Sequence, residues 1–356
     1  MAYGSVFALV WLLSLLLSKL GGVWALGRDK DKGIQKVHTR PTSRLGGGAL
    51  VFGLVFGASS VWVNQDNAQA SDLIFWLCVA GIPVWLGGLA EDLTHKVGPN
   101  LRLVLAMLSA AWLYSASGVG VHHTDVWPVD QLLRIPGASL CLTMLVVAGF
   151  THSVNIMDGF HGLASGLCII MLLGLTALAW AEGDGLLVQL CLLSAAATAG
   201  FFVVNWPYGR LFLGDAGAYL LGFWVVELGL MLVMRNPSIA PMAPVVVGIA
   251  PLIETLFSMY RRRLIRKHPV NHPDALHLHT LVYRRLVRKG LPQAINQNQA
   301  NARVAVYFWI AAVISSFLAW FFRQSTEAQL LLMLLYLAAY TLAYRRLVHF
   351  RSKNRS

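Results

Sequence analysis

Apolar runs long enough to cross a bilayer recur from one end of this 356-residue chain to the other, which leaves little room for another architecture. About 20 apolar residues span the hydrocarbon core as a helix, and a helix satisfies its own backbone polar groups in lipid. The expectation is an all-α polytopic membrane protein, a single integral-membrane domain over residues 1–356. Charged residues make up 12% of the chain and hydrophobic ones 57%. A soluble domain carries about twice that charged share. No internal repeat, low-complexity linker or soluble second domain interrupts the pattern.

Eleven spans are expected, at 4–26, 45–63, 72–90, 101–119, 139–157, 161–181, 186–204, 212–233, 239–260, 303–322 and 328–348. The N-terminus is placed outside and the C-terminus in the cytoplasm. Cytoplasmic loops then fall at about 27–44, 91–101, 158–161, 205–211 and 261–302. With this topology 24 lysines and arginines lie on the cytoplasmic side, and only Arg134, Arg235 and Arg323 lie outside. That asymmetry is what the positive-inside rule requires. It accounts for the net charge of +12 without a nucleic-acid partner. The first span lacks a basic leader and a small-residue cleavage site, so it is read as a retained helix. Cys78, Cys141, Cys168 and Cys191 all fall within spans, without metal-type spacing, and read as packing residues.

The polar residues that remain collect at one side. Asp215 lies in Gly214-Asp215-Ala216-Gly217 at the mouth of the eighth span, where a carboxylate is costly unless solvated, paired or bound to a cation. Metal or phosphate handling and simple helix capping both fit it. Arg44 follows Pro41-Thr42-Ser43 and precedes paired glycines, a pattern that suits an anion or close helix packing. Glu91 and Asp92 close the third span as an adjacent acidic pair that calls for a cation or a proton. Lys96 and Arg102 follow on the same surface. His152, Asn155 and Asp158, spaced by three, lie roughly on one helical face, and Asp158-Gly159-Phe160-His161-Gly162 breaks that helix. Asn205 and Arg210 bracket the next loop. Glu227 and Glu254 are intramembrane acids with no evident partner and are left out of the site. In the last large loop His277 and His279 precede Arg284 and Arg285. Zinc is weakly indicated by His-x-His alone. A diphosphate suits the arginine forks better, and a basic amphipathic helix on anionic lipid is equally open.

PTSRLGG, the acids at 91–92, NIMDGFHG, NWPYGRLFLGDAG and HLH followed by arginines together resemble the polyprenyl-phosphate N-acetylhexosamine-1-phosphate transferases, over nearly the whole chain. The resemblance implies a bacterial inner-membrane enzyme with a cytoplasmic active site. It would transfer a sugar 1-phosphate from a UDP-sugar to undecaprenyl phosphate and release UMP, with Mg²⁺, or Mn²⁺ in its place. It implies Asp215 and Asp158 as metal-binding residues, Asp158 also in catalysis, and Glu91 and Asp92 as a catalytic pair that handles metal or prenyl phosphate. Asn155 and Asn205 would lie near the nucleotide, and His277 and His279 near the diphosphate or sugar. Arg44, His161 and Arg284 complete the substrate-binding set. Three positions depart from the pattern: Glu91 for Asp, His161 for Asp or Asn, and His152 for Asn. The initiation of a lipid-linked surface glycan is the main expectation. The phospho-N-acetylmuramoyl-pentapeptide transferase of peptidoglycan synthesis, a lipid-linked sugar transporter and an inactive homologue are the alternatives. A homodimer is compatible with the sequence.

Overall fold

A computed structural model describes residues 2–24, 42–266, 276–288 and 297–348. The basic run from Arg28 to Arg40, Pro41, parts of the 261–302 loop and the tail beyond 348 lie outside the described residues. The regular elements are all helical: α1 (Ala2–Trp24), α2 (Gly46–Trp62), α3 (Ala68–Thr94), α4 (Pro99–Ser117), α5 (Trp127–Leu133), α6 (Ala138–Met157) and α7 (Leu163–Ala181). The chain continues through α8 (Gly185–Asn205), α9 (Gly214–Arg235), α10 (Ala243–Val247), α11 (Ile249–Tyr260), α12 (Leu278–Val282), α13 (Gln297–Phe321) and α14 (Thr326–Val348). Short π-helical turns extend α11 through Arg266 and α12 through Val287.

Eight of these helices, α1, α3, α6, α7, α8, α9, α13 and α14, are long and apolar enough to cross a membrane. α2 is a shorter apolar helix, and α4 occupies the expected fourth span. The expected ninth span is divided: α10 and α11 meet at Gly248. Pro251 explains the division, because it offers no N–H to the carbonyl four residues back and its ring crowds that turn.

α9 forms the axis of the bundle. Its spanning window is 78% buried, against 17% for α1 and α14, which present Leu12, Leu16, Leu331, Leu334 and Leu335 outward. α3 and α6 flank α9, α2 joins it beside α3, and α1 packs on α8 and α2. Large side chains of α9, among them Tyr219, Phe223 and Trp224, fill the centre.

At one end of α9 the helices approach through backbone. A Cβ on Gly88 of α3 would stand 2.5 Å from Ala216 Cα, and one on Gly47 of α2 would overlap Gly217 N. Small residues allow this in lipid, where close van der Waals packing holds helices together. The backbone ties the same corner: Phe212 N donates to Ser43 O at 2.8 Å, Gly46 N to Phe212 O and Gly47 N to Leu213 O, both at 3.0 Å. The paired glycines after Arg44 thus serve close packing.

Candidate active site

The first residues of α9 carry the acidic group on which the site is built. Gly214 opens the helix with φ +73°, a conformation that side chains resist, and a Cβ there would collide with the Arg44 carbonyl and Asp92. Asp215 does not cap its own helix. The cap comes from α3: Asp92 Oδ1 accepts from Asp215 N and Asp92 Oδ2 from Ala216 N, each at 2.9 Å. A carboxylate there meets both unsatisfied N–H groups and the positive end of the helix. Asp92 is fully buried, and both of its carboxyl oxygens are directed at the first turn of α9.

Two arginines balance the acids. Arg44 Nη2 lies 3.2 Å from Asp215 Oδ1, and its Nε lies 3.4 Å from Asp92 Oδ1. Arg102 of α4 pairs with Asp215 Oδ2. Arg102, which the sequence puts on the same surface as the acids, is a buried partner of Asp215. Glu91 turns away from Asp92 and accepts from Val97 N at 2.7 Å, fixing the turn between α3 and α4.

Tyr219, one helical turn beyond Asp215, extends the cluster to α6. Its hydroxyl is 2.7 Å from His152 Nδ1 and is hydrogen-bonded to Asn155. The Arg102 guanidinium sits 5.2 Å from its ring centroid. His152 and Asn155 therefore do share a face, and that face meets α9. Asp158 ends α6 as its C-cap, with its N–H donated to Asn155 O at 3.1 Å. Tyr219 was missed from sequence, although i to i+4 spacing from Asp215 places the two on one side of a helix.

Asn205 and His161 shape the adjoining turn. Asn205 accepts from Gly162 N at 2.6 Å and donates to Leu211 O at 2.7 Å, joining the start of α7 to the 206–213 loop. His161 is buried; its N–H donates to Asn301 Oδ1 at 2.7 Å, and its ring packs on Gly209 and Phe212.

A second buried cluster lies beyond the Asp158 turn. Glu254 Oε1 accepts from Leu278 N at 2.8 Å and is 3.1 Å from His277 Nδ1 and 3.7 Å from His279 Nδ1. The sequence reading found no partner for Glu254; the structure corrects it, because the partners arrive from a segment 23 residues downstream, a distance no helical spacing reveals. The His279 ring lies edge-on to Phe160, and a Cβ on Gly159 would stand 3.5 Å from its Nε2. Burial pushes His279 down to about 4, with Glu254 opposing and His277 adding to the fall. Arg284 is exposed.

The donor chemistry at Asp215 fits magnesium, a hard cation that takes one or two carboxylates together with substrate phosphate oxygens. Both oxygens of Asp92 hold the first turn of α9 beside it. The four cysteines are free; Cys168 and Cys191 are buried, in keeping with a packing role, whereas Cys141 is exposed.

Residues 74–233 match the family described as glycosyl transferase family 4. The chain is 26% identical over 246 residues to a Bacillus subtilis protein named "Probable undecaprenyl-phosphate N-acetylglucosaminyl 1-phosphate transferase", covering 69% of this chain and 66%, just under two thirds, of that one. It is 27% identical to the decaprenyl-phosphate N-acetylglucosaminephosphotransferase of Mycolicibacterium smegmatis, over 86% of this chain and 77% of that one. It is also 29% identical to the phospho-N-acetylmuramoyl-pentapeptide-transferase of Moorella thermoacetica, over 60% of each. α3 to α9, which carry the Asp92, Arg102, Asn155 and Asp215 cluster, fall almost wholly in the matched region, and over that region the chain is similar to the glycosyl transferase family 4 proteins.

Proposed function

We propose that this protein transfers an N-acetylhexosamine 1-phosphate from a UDP-sugar to undecaprenyl phosphate at the cytoplasmic face of the bacterial inner membrane, releasing UMP. The observation that carries the reading is the Arg44–Asp92–Arg102–Asp215 cluster, where two cations and two carboxylates from four separate segments meet at one end of the bundle. Such a group suits a reaction between two phosphates, in which like charges must be brought together. Arg44 is the reachable cation, with 23% of its side chain exposed, and its fork matches phosphate oxygens.

Asp215 would hold Mg²⁺, or Mn²⁺ in its place, which when bound supplies Lewis-acid neutralisation of charge on the diphosphate. The chain's own residues do the remaining work. Asp92 fixes the position of Asp215 through the first turn of α9, and Asn155 with Tyr219 sets the wall opposite. Asp158, half-buried at the turn after α6, orients the acceptor phosphate. That phosphate has a second pKa of about 6, so it needs placement more than a strong base. Glu91 sets the turn that delivers Arg102. Asn205 and His161 shape the pocket floor for the nucleotide, and His277 and His279 support the Asp158 turn against the sugar diphosphate, with Arg284 at its rim.

A second reading is supported by the Moorella relative's name: the donor is UDP-N-acetylmuramoyl-pentapeptide. One experiment addresses both. Purified protein, undecaprenyl phosphate and Mg²⁺ are incubated with UDP-N-acetylglucosamine, its hexosamine epimers and the muramoyl-pentapeptide donor, and UMP is measured. Release that requires lipid, metal and one UDP-N-acetylhexosamine supports the main reading, and release from the muramoyl donor alone replaces it. Folded protein that releases nothing retires the enzymatic reading.

A further inference from the structure

The Glu254, His277 and His279 cluster has a chemistry of its own. All three side chains are buried, and one ligand-type atom from each lies within 4.8 Å of the others. A carboxylate taken out of water requires a compensating positive charge. A proton shared with one histidine could supply it, but that leaves an atom unaccounted for: His279 Nδ1 is buried and has no hydrogen-bond partner among the described residues. It lies 3.7 Å from Glu254 Oε1.

We propose that Glu254, His277 and His279 bind one zinc-class divalent transition-metal ion, at a site separate from Asp215. Two imidazoles and one carboxylate form a ligand set characteristic of zinc, and imidazole nitrogen disfavours magnesium, which takes oxygen. Ligands held at about 2.0–2.1 Å in a tetrahedron stand roughly 3.3 Å apart. The observed 3.1 and 3.7 Å between Glu254 Oε1 and the two Nδ1 atoms bracket that spacing. The imidazole rings are stacked, with centroids 5.1 Å apart, and the two Nδ1 atoms approach the same carboxylate oxygen. Surrounding contacts hold the ligands as a metal site requires. Leu278 N fixes Glu254, and Phe160 and Phe308 flank the His279 ring.

The ion would join α11 to the segment beginning at His277 and, through Phe160, brace the Asp158 turn. Its role is structural, so it is read by metal content and stability and does not depend on turnover. Full-length protein in detergent is stripped with chelator, then re-equilibrated with Zn²⁺ or Co²⁺ in excess Mg²⁺ and desalted. The expected result is about one equivalent of metal per chain, the visible absorption of low-coordinate Co²⁺, and a raised Tm. Glu254→Gln and His279→Gln should lower affinity at least about tenfold, while Asp215→Asn keeps the full equivalent. Because the glutamine variants could fold poorly, His277→Cys provides an independent arm: it should retain Co²⁺ and add a sulfur-to-metal charge-transfer band. Wild-type protein that binds no metal, leaving Glu254 paired with a protonated histidine, overturns the proposal. So does His279→Gln binding as much metal as wild type, or a His277→Cys spectrum without the new band.

Discussion

Asp92 and Asp215 are neighbouring acids that hold different partners. Asp92 is consumed by two backbone N–H groups, and Asp215 by two guanidinium groups. Their substitutions should therefore fail differently. Asp215→Asn keeps size and removes the charge, so turnover should fall by at least about 100-fold, the scale of losing a charge-stabilising group, with near-wild-type folded yield by size-exclusion chromatography. Asp92→Asn replaces one acceptor oxygen by a donor that faces an N–H. It should cost about 1–3 kcal/mol of stability, seen as a lower Tm before any kinetic effect is considered. Tyr219→Phe removes the hydroxyl that joins His152 and Asn155. Its turnover should drop by about three- to tenfold, corresponding to roughly 1 kcal/mol for a hydrogen bond, with folding unchanged by circular dichroism. Most of these residues were legible in the sequence because a polar group at the edge of an apolar run is expensive without a purpose. Their division of labour was not, since Asp92 meets α9 across 123 residues and Asp215 meets Arg44 and Arg102 across 171 and 113.

Between helices the decisive contacts are made by what is missing from a side chain. Gly88 and Gly47 allow α3 and α2 to touch the backbone of α9, so Gly88→Val should prevent folding outright, read as loss of monodisperse protein. The far end of the same helix is secured electrostatically. Arg235 Nε lies 2.7 Å from Asp184 Oδ2, and Asp184 also accepts from Leu187 N as the N-cap of α8. Burial works against the Asp184 charge, but the Arg235, Leu187 and Asn236 bonds outweigh it and hold its carboxyl below the ordinary carboxylate range. A carboxyl depressed on folding stabilises above its unfolded value of about 3.9 and loses that contribution as pH falls below it. Arg235→Gln should accordingly lower stability by about 1–2 kcal/mol near neutral pH. That gap should narrow as pH falls below about 4, measured by thermal unfolding across a pH series. The long apolar helices were readable from hydropathy, whereas the short α5 and α12 were not. The split at Gly248 was not, because Pro251 interrupts a run whose composition stays apolar.

The whole molecule is a bundle wrapped about α9, with its polar machinery at one end. If the basic asymmetry sets the topology, that end faces the cytoplasm. Tyr208→Cys, on the exposed 206–211 loop, in a background without the four native cysteines, should react with a membrane-impermeant maleimide in inverted vesicles and be protected in right-side-out ones. The reverse pattern would refute the orientation. The fold class, the order of the spans and the end of the bundle that carries the motifs were all present in the sequence. The joining of Glu254 to His277 was not, because it depends on how the loop after α11 returns to the bundle. The backbone contact of Gly88 and Gly47 with α9 also bears on how variation in this protein would be read. In a saturation scan scored by growth, these two glycines would be as intolerant as Asp215, though they bear no reactive group. Pairing such a scan with a measure of folded abundance would sort the positions, with the glycines losing protein and Asp215 losing only activity.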